Sequence, residues 1–246
     1  MERIHWAGLT FEGTGRDETY TIESDSVRGW LVDGVDMRME QIERPADHGS
    51  FSLPGYLTGR SISWGGLILT DNPQEQDHAM RRLSGAGAGG LIGQISVENA
   101  GSRWANVQRA SEFDMKMLSY GRVASYRVQL WAPNPRIFGE VREYSGGIPA
   151  VHYGNFPATP RLLVGAGSGG YTVSGPDGRL IVVATAPAAA HYIDFINGGL
   201  YSAAGVRQIN AITTYQPWSI PPGLPGVTAT ISGSRSLTQR VTDTYI

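Results

Sequence analysis

Few stretches of the chain bring together groups that could do chemistry. Asp47-His48 sets a carboxylate beside an imidazole, half of a metal or acid/base site. A complete metal site needs further ligands at fixed spacing. His5, His78, His152 and His191 supply none, and no H-x-x-x-H helix occurs. Gly165-Ala166-Gly167-Ser168-Gly169-Gly170 satisfies G-x-G-x-x-G and follows an apolar strand pattern. A dinucleotide site, however, needs a helix next, whose N-terminal amides hold the pyrophosphate. Tyr171-Thr172-Val173 continues as strand, so the glycines read as a flexible β-turn. The run Gly85–Gly90 follows a helical pattern instead of opening one, and reads as a linker. Asp194 is a carboxylate amid apolar neighbours. A sugar or ion contact is one reading of it, and a hydrogen-bonded acid at a strand end is the more ordinary one. No G-x-S-x-G element marks a serine nucleophile. No pair of acids points to the two separated carboxylates of glycoside hydrolysis. The expectation is therefore a protein with no catalytic residue, no metal and no cofactor.

Composition agrees with a role outside catalysis. The 246 residues hold no cysteine, which removes disulfides, thiol nucleophiles and thiolate zinc sites together. Net charge is only -2 with both signs scattered, so no specific nucleic-acid partner is expected. The opening Met1-Glu2-Arg3-Ile4-His5-Trp6 lacks the pattern of a signal peptide, and the apolar region Leu180–Ala190 contains Pro187 and is too short to span a bilayer. The expectation is a cytosolic product without a membrane partner. Of the 20 basic residues only Lys116 is lysine, and arginine suits planar interface pairing, although the skew also fits GC-rich coding.

The elements that must position these groups are mostly strands. The 33 glycines and 14 prolines fall between short apolar runs, the punctuation of a turn-rich β protein. Period-two patterns predict strands over Arg3–Phe11, Thr19–Glu23, Trp30–Val32, Val35–Met39, Ser61–Thr70, Leu91–Glu98, Arg103–Arg109, Glu112–Ser119 and Arg122–Trp131. Asp33-Gly34 reads as a hairpin turn, and Gly65-Gly66 as a bulge or a close backbone approach. Asn72-Pro73-Gln74-Glu75 offers an N-cap, a proline at the first helical position and an acid at the third. A short helix over 73–84 is expected, with Ala79, Met80 and Leu83 facing a sheet. Ala132-Pro133-Asn134-Pro135 and Gly146-Gly147-Ile148-Pro149 then break the pattern. Beyond them, seven or more short strands with a turn every 8–12 residues suggest a β-sandwich. Most of Trp6, Trp30, Trp64, Trp104, Trp131 and Trp218 are expected in cores, with a contact surface as the alternative.

Taken in order, these motifs resemble the distal tail (minor tail) protein family of long-tailed phages. The residues that carry the likeness begin with Arg44-Pro45-Ala46-Asp47-His48-Gly49 and Gly59-Arg60-Ser61-Ile62-Ser63-Trp64-Gly65-Gly66. The helix ending Arg81-Arg82-Leu83 and the closing strand before Ala132-Pro133-Asn134-Pro135-Arg136 follow, with Asn134 where an acid is more usual. Gly154-Asn155-Phe156-Pro157-Ala158-Thr159-Pro160-Arg161 is similar to the opening of the family's second, galectin-like sandwich. Trp218-Ser219-Ile220-Pro221-Pro222-Gly223 and Thr244-Tyr245-Ile246 fit its closing strands.

The resemblance implies a mainly β, two-domain protein. Residues 1–145 would form a β-sandwich or split barrel with one short helix and a hairpin, and 146–246 a galectin-like sandwich. It implies a homo-hexameric ring built by the first domain, located at the tail tip of the virion and assembled in the host cytoplasm. Its partners would be the tail tube protein, tail hub or tip and fibre proteins, with the tape-measure protein in the lumen. The second domain would project outward as a fibre dock or a weak host glycan contact. Arg44, Asp47, His48, Gly49 and Arg60 are then expected to form a loop network that fixes the N-terminal fold or touches a neighbouring subunit. A carbohydrate-binding module, a cell-wall hydrolase and a tail-tube protein are the rival readings.

Overall fold

The computed structural model describes residues 3–13, 19–30, 33–99 and 101–246. The chain is mainly β, and it divides into two compact units, one running to Ile137 and the other from Phe138 to Tyr245.

In unit 1 the strands β1 (Arg3–Trp6), β2 (Leu9–Glu12), β7 (Arg60–Leu69), β8 (Gly93–Glu98), β9 (Ser102–Arg109) and β11 (Val123–Ala132) alternate inward and outward residues, while β10 (Asp114–Ser119) is exposed along nearly all its length. One ladder runs β2-β1-β8-β9 and another β10-β11-β7, joined where Arg109 and Gln108 of β9 meet Leu130 and Trp131 of β11. Ile4, Phe11, Trp64, Ile68, Ile95 and Leu130 are fully buried between them. Phe11 sits edge-on to Trp64 at 5.2 Å and tilted against Tyr126 at 5.6 Å, so one aromatic cluster fills the centre. The expected single strand Arg3–Phe11 is in fact a hairpin. Ala7 and Gly8 both take positive φ, 49° and 74°, as a two-residue turn requires. Alanine at the first turn position gives no signal of that turn, and the apolar pattern runs on through it.

Helix α1 (Pro73–Gly85) forms where its cap predicts. The Asn72 side chain accepts from the Glu75 N–H at 2.9 Å, and Pro73 occupies the first turn. Its covered face is Gln76, Ala79 and Leu83. Gln76 replaces the expected Met80 there, because its amide is used: it donates to Ser119 O at 3.0 Å and accepts from Gly121 N at 2.8 Å.

The Gly65-Gly66 alternative resolves to a close approach. The β7–β11 register runs unbroken from Arg60↔Ala132 to Leu69↔Val123, without a bulge. On the other side of β7, Thr21 N donates to Leu67 O at 2.8 Å and Glu23 N to Gly65 O at 2.9 Å. The expected strand Trp30–Val32 lies partly outside the described residues. Beyond it β3 (Met37–Arg38) pairs forward with β6 (Tyr56–Leu57), and β4 (Ile42–Glu43) with β5 (Ser50–Phe51).

A further strand, β12 (Ile137–Ser145), fills the stretch between the two expected breaks at 132–135 and 146–149. Ala132-Pro133-Asn134-Pro135 turns the chain and the strand resumes at once. Unit 2 is a β-sandwich. One sheet orders β18 (Arg207–Gln208), β17 (Leu200–Ser202), β16 (His191–Asp194), β13 (Arg161–Val164) and β21 (Leu237–Tyr245). The other orders β19 (Ile212–Tyr215), β15 (Leu180–Val183), β14 (Tyr171–Ser174) and β20 (Thr230–Ile231). Leu162, Val164, Ile193 and Val241 from one face meet Val173, Ile181, Val183 and Ala229 from the other. The expected strand over 206–212 is cut by Asn210 at φ 59°, which ends β18 before β19 begins.

Candidate functional site

The residues singled out by the sequence fall in two places. Arg44, Asp47, His48 and Gly49 stand on a protruding hairpin, while Arg60 is buried at its root. The hairpin tip is a local network. Gly49, at φ 88°, lets its carbonyl accept from Arg44 N at 3.1 Å. Asp47 Oδ1 accepts from His48 N at 2.7 Å, its Oδ2 faces Arg44 Nη1 at 3.4 Å, and the Arg44 guanidinium lies over the Phe51 ring at 5.5 Å. The His48 imidazole takes no part in these bonds. Both members of the Arg44–Asp47 pair are exposed, which gives it little weight in stability.

Arg60 is different. It is only 3% exposed. Its Nε donates to Pro135 O at 2.9 Å, and its Nη1 donates to Gly29 O at 3.1 Å, Asp33 O at 3.4 Å and also Trp30 O. Burial lowers its pKa from the usual arginine value, and Asp33 opposes that shift. One side chain thus ties Gly29, Trp30 and Asp33, which precede the hairpin, to β7, which leaves it, and to the proline turn at Pro135. The root is closed by Thr58, whose N–H donates to Asp36 O at 2.9 Å.

Between root and tip the hairpin has no cover. Residues 36–54 are all exposed. Met37, Met39, Ile42, Phe51 and Tyr56 are each at least half exposed. An isolated two-stranded ribbon is marginal in water, and contiguous apolar exposure of this kind is the mark of a contact surface. Sequence periodicity placed one strand here, Val35–Met39, and carried no sign of β4, β5 and β6 or that neither face would be covered.

The other candidates resolve into structure. Asp194 is 2% exposed; its carboxylate accepts from Arg161 Nη2 at 2.7 Å, Ile196 N at 2.8 Å and Asn197 N at 3.0 Å. This is the hydrogen-bonded acid at a strand end. Burial raises its pKa, but the two backbone N–H groups and Arg161 outweigh burial and leave the value lowered. The Gly165–Gly170 loop wraps a cation: Arg235 donates to Gly165 O at 3.1 Å, Gly167 O at 2.5 Å and Gly169 O at 3.3 Å. The loop turns carbonyls inward, the opposite of a phosphate cradle, and leads into strand β14. Arg235 lies so far along the chain that no motif links it to the loop. It also covers Tyr171, its guanidinium 5.5 Å from the ring centre, and the Tyr171 hydroxyl lies 2.7 Å from His191 Nε2. Among the described residues, no group of three or more His, Cys, Asp or Glu is placed to hold a metal ion.

Unit 2 therefore carries two groups that resist acid. Burial and then Arg235 lower the His191 pKa, while its bond to the Ala189 carbonyl opposes them. A lowered histidine binds its proton more weakly in the folded state, so stability falls as pH drops below its ordinary value of 6.5. A lowered aspartate contributes stability above its ordinary 3.8, and that contribution is lost as pH falls through the folded value. Unit 2 should therefore lose stability in two steps on acidification. Asp194→Ala should remove the second step and cost about 2 kcal/mol near neutral pH, discounted because Arg161 is partly exposed. Hydrogen exchange at the Ile196 and Asn197 amides reads this directly; unchanged protection in the variant would sink the assignment.

No family model and no curated protein sequence matches the chain. Solved structures do. The crystal structure of the Dit protein of phage SPP1, described as a paradigm of the hub adsorption apparatus in phages infecting Gram-positive bacteria, superposes with a TM-score of 0.79. That match covers 100% of both chains at 11% identity. A chain of the phage P2 baseplate, in its activated conformation with Ca, matches with a TM-score of 0.50 at 10% identity over 97% of each chain. Across its whole length, the chain has a fold similar to that of a phage Dit protein, the distal tail family that its sequence resembles.

Proposed function

We propose that this protein is a structural component of a phage tail, a homo-hexameric distal ring between the tail tube and the tip or adsorption apparatus. The reading rests on one observation above the others: residues 36–54 of the hairpin are all exposed, Met37, Met39, Ile42 and Phe51 among them. A head-to-tail ring needs two different complementary surfaces on each subunit, and closure of the ring covers both. The full-length likeness in fold to a hub protein supports the same reading. Residues 1–145 build the ring and 146–246 supply the contacts to fibre or tip proteins. Its work is assembly and the transmission of force, with no bond made or broken. The ring lumen passes the tape-measure protein and DNA, and the mild net charge of -2 suits a channel that must not hold DNA tightly.

Light scattering on the purified protein, with negative-stain images of the same sample, tests this. Rings of six, formed alone or on mixing with tail extract, support it; a chain that stays monomeric with its tail partners present overturns it. A paired substitution, Ile42→Asp with Phe51→Asp, should abolish rings. Both positions are at least half exposed, so thermal stability should change by no more than about 0.5 kcal/mol per site.

A further inference from the structure

We propose that Asn197 is a self-modifying site: its side-chain amide is lost to attack by Gly198 N, and the acid that replaces it loosens the bonds Asp194 makes at that end of unit 2. Of the seven asparagines in the chain, this is the one followed by glycine. Asn72 and Asn134 precede prolines, whose nitrogen has no hydrogen to give up. Asn99, Asn106, Asn155 and Asn210 precede alanine, valine or phenylalanine, whose Cβ atoms crowd the attacking nitrogen. The structure adds to that preference. Asn197 is exposed in the turn between β16 and β17, and Gly198 and Gly199 take positive φ there, 66° and 111°. Glycine moves between such conformations at little cost, so the turn can carry Gly198 N onto the amide carbon of Asn197. The amide itself donates to Asp194 Oδ2 at 3.4 Å, close to the outer limit of a hydrogen bond. Asn106, by contrast, is fixed inside β9 opposite Gln94.

The reaction needs water and no other reagent. Gly198 N bonds to Asn197 Cγ as the Cγ–Nδ2 bond breaks, and the proton that Gly198 N loses leaves with the amide nitrogen as ammonia. Water then opens the cyclic imide. Addition at Cγ gives aspartate, and addition at the main-chain carbonyl gives isoaspartate, with the main chain rerouted through Cβ and Cγ. Both products strike the same place. The Asp194 carboxylate is buried and accepts from Ile196 N at 2.8 Å, Asn197 N at 3.0 Å and Arg161 Nη2 at 2.7 Å, besides the Asn197 amide. An aspartate at 197 removes one donor and sets a second anion beside the first, so two carboxylates share the Arg161 guanidinium. Isoaspartate lengthens the main chain beside the two amides that hold Asp194, in a turn whose ends are tied by Asp194 N donating to Gly199 O at 3.0 Å. The turn therefore weakens with the age of the protein, whether or not the chain is assembled.

The test is to age the full-length protein in mildly alkaline buffer, folded and unfolded in urea, and to map its tryptic peptides by mass. Peptide 180–207 holds Asn197 as its sole asparagine, so its conversion reads the site without ambiguity. In the folded sample this peptide should gain the mass of an amide-to-acid change before any other asparagine does. Hydrogen exchange at the Ile196 amide should then quicken by roughly fivefold, the worth of one hydrogen bond. Asn197→Asp should show the faster exchange without ageing. Asn197→Gln, whose longer side chain closes a ring far less readily, should keep its protection through the same treatment. A peptide that converts in urea and stays intact in the folded protein would overturn the modification, because the turn would then be shielding Asn197. Conversion with exchange unchanged, or equal loss of protection in the aged Asn197→Gln variant, would overturn the link to Asp194.

Discussion

Arg60→Ala should lower the stability of unit 1 by about 4 kcal/mol, among the larger effects a single substitution produces. The guanidinium is a buried cation whose counterparts are backbone carbonyls, those of Gly29, Trp30, Asp33 and Pro135. Hydrogen bonds from a charged donor contribute about 1.5–3 kcal/mol each, though not additively, and removing the donor leaves the buried Trp30 carbonyl and three part-buried ones without it. A small side chain also leaves a cavity between β7 and the segment over it. Arg60→Lys keeps the charge but loses the planar fork that reaches carbonyls on two sides, so it should recover only part of the loss. Urea unfolding followed by tryptophan fluorescence measures this, because Trp6, Trp30, Trp64, Trp104 and Trp131 all lie in unit 1. A loss below about 1 kcal/mol would mean that solvent replaces the guanidinium at those carbonyls. Since Arg60 also fixes the root of the hairpin, the proposed ring should form poorly from the variant at temperatures where it remains folded. Normal assembly of the variant would leave Arg60 a purely intrachain brace.

Some of this was legible in the sequence and some was not, for physical reasons. The helix could be placed almost to the residue because its start is written locally in Asn72, Pro73 and Glu75. The strands could be placed because alternation shows in the chain itself. The hairpin at Ala7-Gly8 was hidden because Trp6 and Leu9 keep the apolar rhythm across the turn. Arg44, Asp47 and Gly49 come together as a loop because they are neighbours in sequence. Arg60 joins none of them; its partner Pro135 is 75 residues away, and no spacing rule connects a cation to a distant carbonyl. Arg235 and the Gly165–Gly170 loop illustrate the same limit, since a glycine pattern fixes where the backbone is free to bend and not which way its carbonyls point. Period-two patterning predicted a strand at Val35–Met39, but it carries no information on whether a partner covers it.

Gly66→Ala should be at least as damaging as the loss of Arg60, at about 4 kcal/mol or more, and should leave little folded unit 1. In an ordinary strand the change from glycine to alanine is favourable by roughly 0.5–1 kcal/mol, because glycine loses more freedom on folding. Here the sign reverses. A Cβ at position 66 would lie 1.7 Å from Thr21 O and 2.7 Å from Thr21 C, both backbone atoms with no side chain to swing away. Neither strand can retreat cheaply. Gly66 is held in register opposite Tyr126 in the β7–β11 ladder, and the Tyr126 hydroxyl donates to Thr21 O at 2.8 Å, drawing Thr21 toward the same place. The neighbouring glycine supplies the control. A Cβ on Gly65 would meet Tyr126 O at 3.1 Å, a contact that a shift of a few tenths of an ångström relieves. Gly65→Ala should therefore fold with a loss of about 1 kcal/mol while Gly66→Ala does not. Soluble yield and thermal unfolding of the two variants decide the matter, and a Gly66→Ala protein melting within a few degrees of the parent would refute the packing. The close approach at Gly66 lays residues 20–23 along β7, and the chain then runs through Arg28, whose N–H reaches Ser63 O at 2.8 Å, into the segment held by Arg60. A strand displaced at Gly66 would carry the root of the hairpin with it, so the glycine sets the position of the exposed hairpin as well as the packing of β7.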